Sequence, residues 1–343
     1  YELSSGQSPR IEFNYIQVNP GEGQYTWVDR NLDSILQIDE MEISVFQDQA
    51  NYVRVAVTTT EYLRTNNVVF NQNLRFEPRL LWPGAKGWRK GLGRLSTQSI
   101  LQLNRRVLSG AEGVNAWNPF ELNIPDTSLI TVGSTLRNVL FVNRAQPAWD
   151  ASVSNNATRS QVLLTTGFEN RQNNAWNLHG RVNAGPKWSV EIDLTRDRRE
   201  SDNEAFDARD YTILGCQAGP KLSWLPNRYL RASVQYRLLD SRNQVGNTET
   251  ARQDNLQLSV NWNPAAPKNN TGFAAATAFR LQLTYADVRF DGDTNTPVGF
   301  AMLEGLQNGN NALWTVGLDR QLSRSIQLNF SYEGRRTGQA RTV

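Results

Sequence analysis

From about residue 159 onward, apolar and polar residues alternate with a period of two. In KWSVEIDLTR, Trp188, Val190, Ile192 and Leu194 fall on one side, and Lys187, Ser189, Glu191, Asp193 and Thr195 on the other. RYLRASVQYRL sets Leu230, Ala232, Val234, Tyr236 and Leu238 against Arg231, Ser233, Gln235 and Arg237. NLQLSVNWN repeats the pattern through Leu256, Leu258, Val260 and Trp262, and SIQLNFSYE through Ile326, Leu328, Phe330 and Tyr332. Side chains along a strand point alternately to its two faces, so each segment predicts a strand with one apolar and one polar face.

The segments between these strands predict an asymmetry. AGPK (184–187), LPNR (225–228) and QLSR (321–324) read as short turns; RRESDNEAFDAR (198–209), SRNQVGNTETARQD (241–254) and residues 290–312 read as long loops, with NPAAPKNNTG (263–272) between the two classes. Short turns at one end and long loops at the other are the habit of outer-membrane barrels. Trp188, Trp224 and Trp262 each border a short turn in the apolar register, which predicts an aromatic girdle at that end.

Earlier in the chain, residues 67–82, 94–106, 149–154 and 158–171 read as further strands. PDTSLITVGSTLRNVLFVN (125–143) stays open: Leu129, Leu136, Val139 and Leu140 also fit a helical stripe capped near Asp126 or Thr127, which predicts either a strand or a plug in a lumen. The count reaches about a dozen strands in up-and-down order. The expected fold is an all-β, antiparallel transmembrane β-barrel or a large part of one.

Composition removes several function classes. No apolar run reaches the roughly 18 residues of a membrane helix, whereas barrel strands average out as hydrophilic. The 343 residues carry 36 Lys and Arg against 33 Asp and Glu, a near balance that gives little reason to expect nucleic acid as a partner. A single cysteine, Cys216, permits no internal disulfide, and a single histidine, His179, excludes sites built from several His or Cys ligands. Cys216 falls in the apolar register, as an inert outward or packed thiol. The chain starts at Tyr1 with no basic flank and apolar run, so no signal peptide is expected within it.

With GPKWSVEIDLTRDRRES, LPNRYLRASVQYRLLDSR and LSRSIQLNFSYEGRR, the chain resembles the C-terminal part of large Gram-negative, Bacteroidetes-type outer-membrane β-barrel proteins over roughly residues 50–343. The opening GEGQYTWVDRNLDSILQIDEMEISVFQDQANYVRV is similar to segments directly ahead of such barrels. The resemblance implies a division into a β-rich segment at 1–50 and barrel strands at 51–343. The tail RTGQARTV offers no closing aromatic strand, so closing strands are expected after Val343.

Within the opening, DRNLDSILQIDE (29–40) has the ligand spacing of a twelve-residue calcium loop. Asp29, Asn31, Asp33 and Glu40 hold positions one, three, five and twelve, the Ile35 carbonyl position seven and Gln37 position nine. A hard cation taking six to eight oxygens needs such a set. The pattern departs at Ser34, where glycine normally allows the sharp turn, and the alternative is a plain polar turn. Bound calcium would brace the junction; no other cofactor is expected.

The polar faces carry His179, Arg181, Glu191, Asp193, Arg231, Arg237, Arg280 and Glu333, which are expected to line a lumen either as paired charges or as a polar channel. The basic stretch GAKGWRKGLGR (84–94), with Lys86, Arg89, Lys90 and Arg94, lacks the order of a phosphate loop. The expected function is a pore, or the barrel component of a transport, secretion or surface-assembly complex. Lipid and lipopolysaccharide would surround it, and protein partners would meet its long outside loops. A soluble calcium-steadied β-sandwich adhesion module is the alternative, and a barrel enzyme, needing a Ser or Thr beside His179, the second. No residue set argues for catalysis.

Overall fold

The computed structural model describes residues 1–337 except 38–39, 45, 85, 111–114, 116–117, 122–123, 125–127, 145, 165–166, 205–208, 265–276 and 324. Among the described residues the strands are β1 (Glu2–Gln17), β2 (Tyr25–Trp27), β3 (Met41–Ile43), β4 (Tyr52–Phe76), β5 (Leu95–Leu108), β6 (Leu129–Val142), β7 (Trp149–Leu164) and β8 (Gly167–Ala184). They continue with β9 (Trp188–Asn203), β10 (Tyr211–Asn227), β11 (Leu230–Asn243), β12 (Thr250–Trp262), β13 (Thr277–Asp291), β14 (Gly309–Gln321) and β15 (Gln327–Thr337). Three short helices, α1 (Pro78–Leu81), α2 (Trp88–Leu92) and α3 (Pro297–Leu303), lie in connections.

All fifteen strands join one antiparallel sheet, and from β4 to β15 each strand pairs with its neighbours in sequence. The sheet is not closed. Among the described residues there is no second sheet against which the apolar faces are buried. They lie outward instead. Trp188, Val190 and Ile192 are 44%, 49% and 45% exposed, while Ser189 between the first two is 7% exposed. Ser223, Ser241, Asn243 and Asn311 share that nearly dry polar face, which small side chains achieve only where the sheet curls towards it or something covers it.

The outward apolar band has limits. Along β9 it runs from Trp188 to Leu194, about 20 Å of strand at roughly 3.3 Å per residue. Beyond it the same outward register carries Arg196 and Arg198, with Asp240 and Arg242 on β11, Arg252 and Asp254 on β12, and Asp287 and Arg289 on β13. At this level the inner face turns apolar: Ile213, Ala251, Ala286, Val288 and Phe290 form a core with Val298, Met302 and Leu303 of α3. The connection 292–308 thus folds inward. Thr296 caps α3 by accepting the Gly299 N–H at 3.0 Å, and Gln253 Nε2 donates to the Met302 carbonyl at 2.8 Å.

Several expectations change. Residues 125–143 are not a helical plug: from Leu129 they form β6, a wall strand, while Asp126 and Thr127 lie outside the described residues. Arg196, which polarity alone would place with the inner residues, continues the outward register. Residues 198–203, 241–243 and 250–254 are strand, because β9, β11 and β12 extend past the apolar band in reversed polarity. The turn asymmetry is correspondingly weaker. At the tryptophan end, connections 143–148, 185–187, 228–229 and 322–326 are short but 77–94 and 263–276 are not; at the other end, 109–128 and 292–308 are long but 165–166 is not.

The division at residue 50 also shifts. β1 pairs β4 from Glu2↔Val69 to Gln17↔Tyr52, and β2 and β3 join the same sheet at its end through the Tyr25↔Tyr52 pair, so the segment ahead of residue 50 is continuous with the sheet. β5 reaches β4 only from Thr65 to Phe76, which leaves β1 and Tyr52–Arg64 as a two-stranded ribbon projecting past the charged rim. At its tip the chain packs closely, since a Cβ on Gly23 would lie 2.6 Å from the Tyr52 nitrogen.

The inward fold of α3 rests on Met302, which is fully buried, and on Gly299, where a Cβ would meet the Asp293 carbonyl at 2.5 Å. Met302→Ala removes buried apolar volume worth roughly 2–5 kcal/mol, and Gly299→Val forces the turn open. Limited proteolysis should cut either variant within 292–308 at protease levels that leave the parent intact.

Candidate functional site

The inner wall is built by register. Antiparallel pairing places Asp150 (β7), Arg181 (β8), Glu191 (β9) and Lys221 (β10) side by side in one row of alternating charge. Arg181 Nε donates to Asp150 Oδ1 at 2.6 Å, and Lys221 Nζ to Glu191 Oε2 at 3.2 Å. Two residues further along, Ser152, His179 and Asp193 form the next row, with His179 Nδ1 2.8 Å from Asp193 Oδ1. Above that, Asn177 Nδ2 donates to Thr195 Oγ1 at 2.9 Å. In the following row Asp197 lies across Gly215, where a Cβ would come within 2.3 Å of the carboxylate, and Arg199 Nε sits 3.0 Å from Asp197.

The expected inner residues thus divide. His179, Arg181, Glu191 and Asp193 come together in this braced patch. Arg280 pairs with Asp319 across β13 and β14. Arg237 is half-buried with its Nε unpartnered among the described residues, Arg231 is exposed near the tryptophan end, and Glu333 is exposed on the edge strand β15. Exposed pairs of this kind contribute about 0–1 kcal/mol each, so the rows hold side chains in place more than they stabilise the sheet. They leave the patch nearly neutral. Asp150 and Lys221 were legible only as polar-register residues; that they complete the row is a fact of register.

Ser152 stands where histidine-dependent chemistry would need a hydroxyl. The backbone N–H groups of β7, β8 and β9 there are engaged in the ladder, so no pair of free amides is aimed at a developing oxyanion.

On the outer face, Trp188 and Trp224 stack with ring centroids 6.0 Å apart across β9 and β10, and Trp262 lies outward on β12 at the same end. Cys216 is exposed on the outer face beside Arg196.

The projecting ribbon returns to the sheet at one latch. Arg54 pairs with Glu204 in the β9–β10 connection at 2.5 Å, and its guanidinium lies 4.6 Å from the Phe13 ring centroid. Glu204 also accepts the Phe168 N–H at 2.9 Å. Gly167 makes room, since a Cβ there would meet the Glu204 carboxylate at 2.8 Å and Arg54 at 3.0 Å. Burial raises the Glu204 pKa, but the hydrogen bonds from Arg54 and Phe168 outweigh it, and the net shift is downward. Nothing in the sequence marked this pair, which is 150 residues apart.

In the 29–40 loop, Asp29 Oδ2 accepts the Ser34 N–H at 2.9 Å, Asn31 Oδ1 the Asp33 N–H at 3.0 Å and Asp33 Oδ1 the Ile35 N–H at 2.7 Å. Gln37 Nε2 donates to Asp33 Oδ2 at 2.7 Å. Ser34 takes φ 58°, the left-handed conformation that position six requires of a non-glycine residue. Glu40 is instead buried beneath Trp27, whose Nε1 donates to Oε2 at 2.8 Å while Arg30 N–H donates to Oε1 at 3.2 Å. Among the described residues no three His, Cys, Asp or Glu side chains are gathered closely enough to hold a metal. The Asp29, Asn31 and Asp33 oxygens are thus engaged within the loop, and Glu40 is turned away from them towards Trp27.

A depressed carboxyl pKa contributes stability that is present above the ordinary carboxylate range and is lost as pH falls through the folded value. The protection factors of the Tyr52–Arg64 amides, which remove the intrinsic pH dependence of exchange, should therefore fall at acid pH in the parent, and at neutral pH in Glu204→Gln. The chain matches no protein-family model and no curated protein.

Proposed function

We propose that this chain builds the wall of an outer-membrane β-barrel in a Gram-negative bacterium, acting as a pore or as the barrel component of a transport, secretion or surface-assembly complex. One observation carries the reading: the sheet turns its apolar side chains outward and keeps its polar side chains on the drier face. Water opposes an exposed apolar surface of this extent, whereas hydrocarbon favours it. The outward tryptophans at one end and the outward Arg and Asp residues at the other suit two membrane interfaces, with lipid and lipopolysaccharide as immediate neighbours. A bilayer offers no water to strand edges, so the reading requires the free edge of β15 to be paired in the membrane.

The braced inner rows serve structure in this reading, and Ser152, His179 and Asp193 are assigned no catalysis. The loop at 29–40 is proposed to take calcium as a brace at the ribbon tip. Its ligands would be Asp29, Asn31, Asp33 and the Ile35 carbonyl, with Gln37 at its edge and Glu40 released from Trp27.

The full-length protein, extracted from the outer-membrane fraction in mild detergent, should run faster on a gel unheated than boiled. Recovery in the soluble fraction with a single mobility sinks the proposal. For the loop, terbium should show emission sensitised through Trp27, displaced by excess calcium and abolished by Asp29→Ala; a flat signal leaves a polar turn.

A further inference from the structure

A recess on the inner face lies at the charged rim, spans β4 to β10 and has a volume of about 630 Å³, within the roughly 300–1,000 Å³ of small-molecule sites. Its lining is not that of an ion path. Four amides from three strands line it: Asn71 (β4), Gln102 and Asn104 (β5) and Asn173 (β8). Hydroxyls of Thr135, Thr158 and Tyr211 come from β6, β7 and β10. Its two inner-face arginines are already matched: Arg171 binds Glu169 at 2.9 and 2.6 Å, and Arg199 binds Asp197 at 3.0 Å with Glu304 at 3.7 Å. Neither leaves an uncompensated charge to attract an anion.

Amides and hydroxyls both donate and accept, which is the demand of a ligand covered in hydroxyl groups. The Asn173 side-chain oxygen at the recess wall is buried without a partner among the described residues, a polar atom that a rotation of the side chain would offer to a ligand. Tyr211 packs against the α3 core on one side and borders the recess on the other, and Arg199 donates to the Ala301 carbonyl at 3.1 Å. The inward helix thereby fixes one flank of the recess. We propose that this recess is a binding site for a neutral, polyhydroxylated solute of the saccharide class, held by the amide rows and flanked by α3. The inference rests on the barrel reading insofar as it makes the recess part of a lumen.

Saturation-transfer NMR on the full-length protein in detergent micelles tests it, with maltohexaose as probe and citrate as the anionic comparison. Saturation should reach the sugar protons and not citrate. Asn173→Leu and, on a separate strand, Gln102→Leu should each weaken binding roughly 3–10-fold, as expected for one lost hydrogen bond, while both variants keep the parent's heat-dependent mobility shift. A shifted, folded protein that transfers nothing to maltohexaose, that prefers citrate, or whose two variants bind like the parent overturns the site and leaves the barrel standing. Transfer lost in the variants of a protein with no mobility shift keeps the site and overturns the barrel.

Discussion

Everything in this structure follows from one constraint: a single sheet has two faces, and its alternating side chains commit each face to one kind of residue over successive rows. A one-residue slip in register would exchange them. From β4 to β15 the ladder keeps the two sets apart, tryptophans and aliphatics outward, serines, amides and paired charges inward. Among the described residues no second sheet covers the outward band; at the rim outward Val107 and Val132 pack with Ile124, but from Trp188 to Leu194 the band stays bare, and the nature of the surrounding medium becomes the central question of function.

The commitment is not uniform along the strands. Past Leu194 on β9, and at matching levels on β11 to β13, the outward register becomes charged and the inner one apolar. The inner apolar patch would be as unsatisfied as the outer band if left bare. Residues 292–308 cover it by folding inward, capped at Thr296 and anchored through Met302. A connection that reads as a long polar loop is therefore part of the interior, and it narrows the same space that the amide-lined recess opens into.

Charge is handled locally. Asp150, Arg181, Glu191 and Lys221 cancel along a row, Asp193 meets His179, and Asp197 meets Arg199 across the space that Gly215 leaves. Inside a curved wall such pairs fix side-chain positions and leave little net field, which favours neutral polar contacts over ionic ones. The Arg54–Glu204 latch is of another kind: it joins a projecting ribbon to a distant connection and depends on Gly167 having no side chain.

The strands from Trp188 onward, their outward and inward residues and the place of the three tryptophans were legible in the sequence because period-two alternation is a local property of neighbouring residues. The polar turn at Asp29–Ile35 was legible for the same reason, its side-chain oxygens and the N–H groups they accept lying within a few residues of each other. Reversed polarity at the rim was not, since Arg196, Arg198, Ser201 and Asn203 look like loop when each strand is assumed to keep one apolar face. The strand identity of Leu129–Val142 needed its neighbours, because Leu136 and Leu140 satisfy both periods. The inward helix, the charge rows, the recess and the latch came only from tertiary structure, because register and the reach of side chains across 30 to 150 residues decide which local patterns meet.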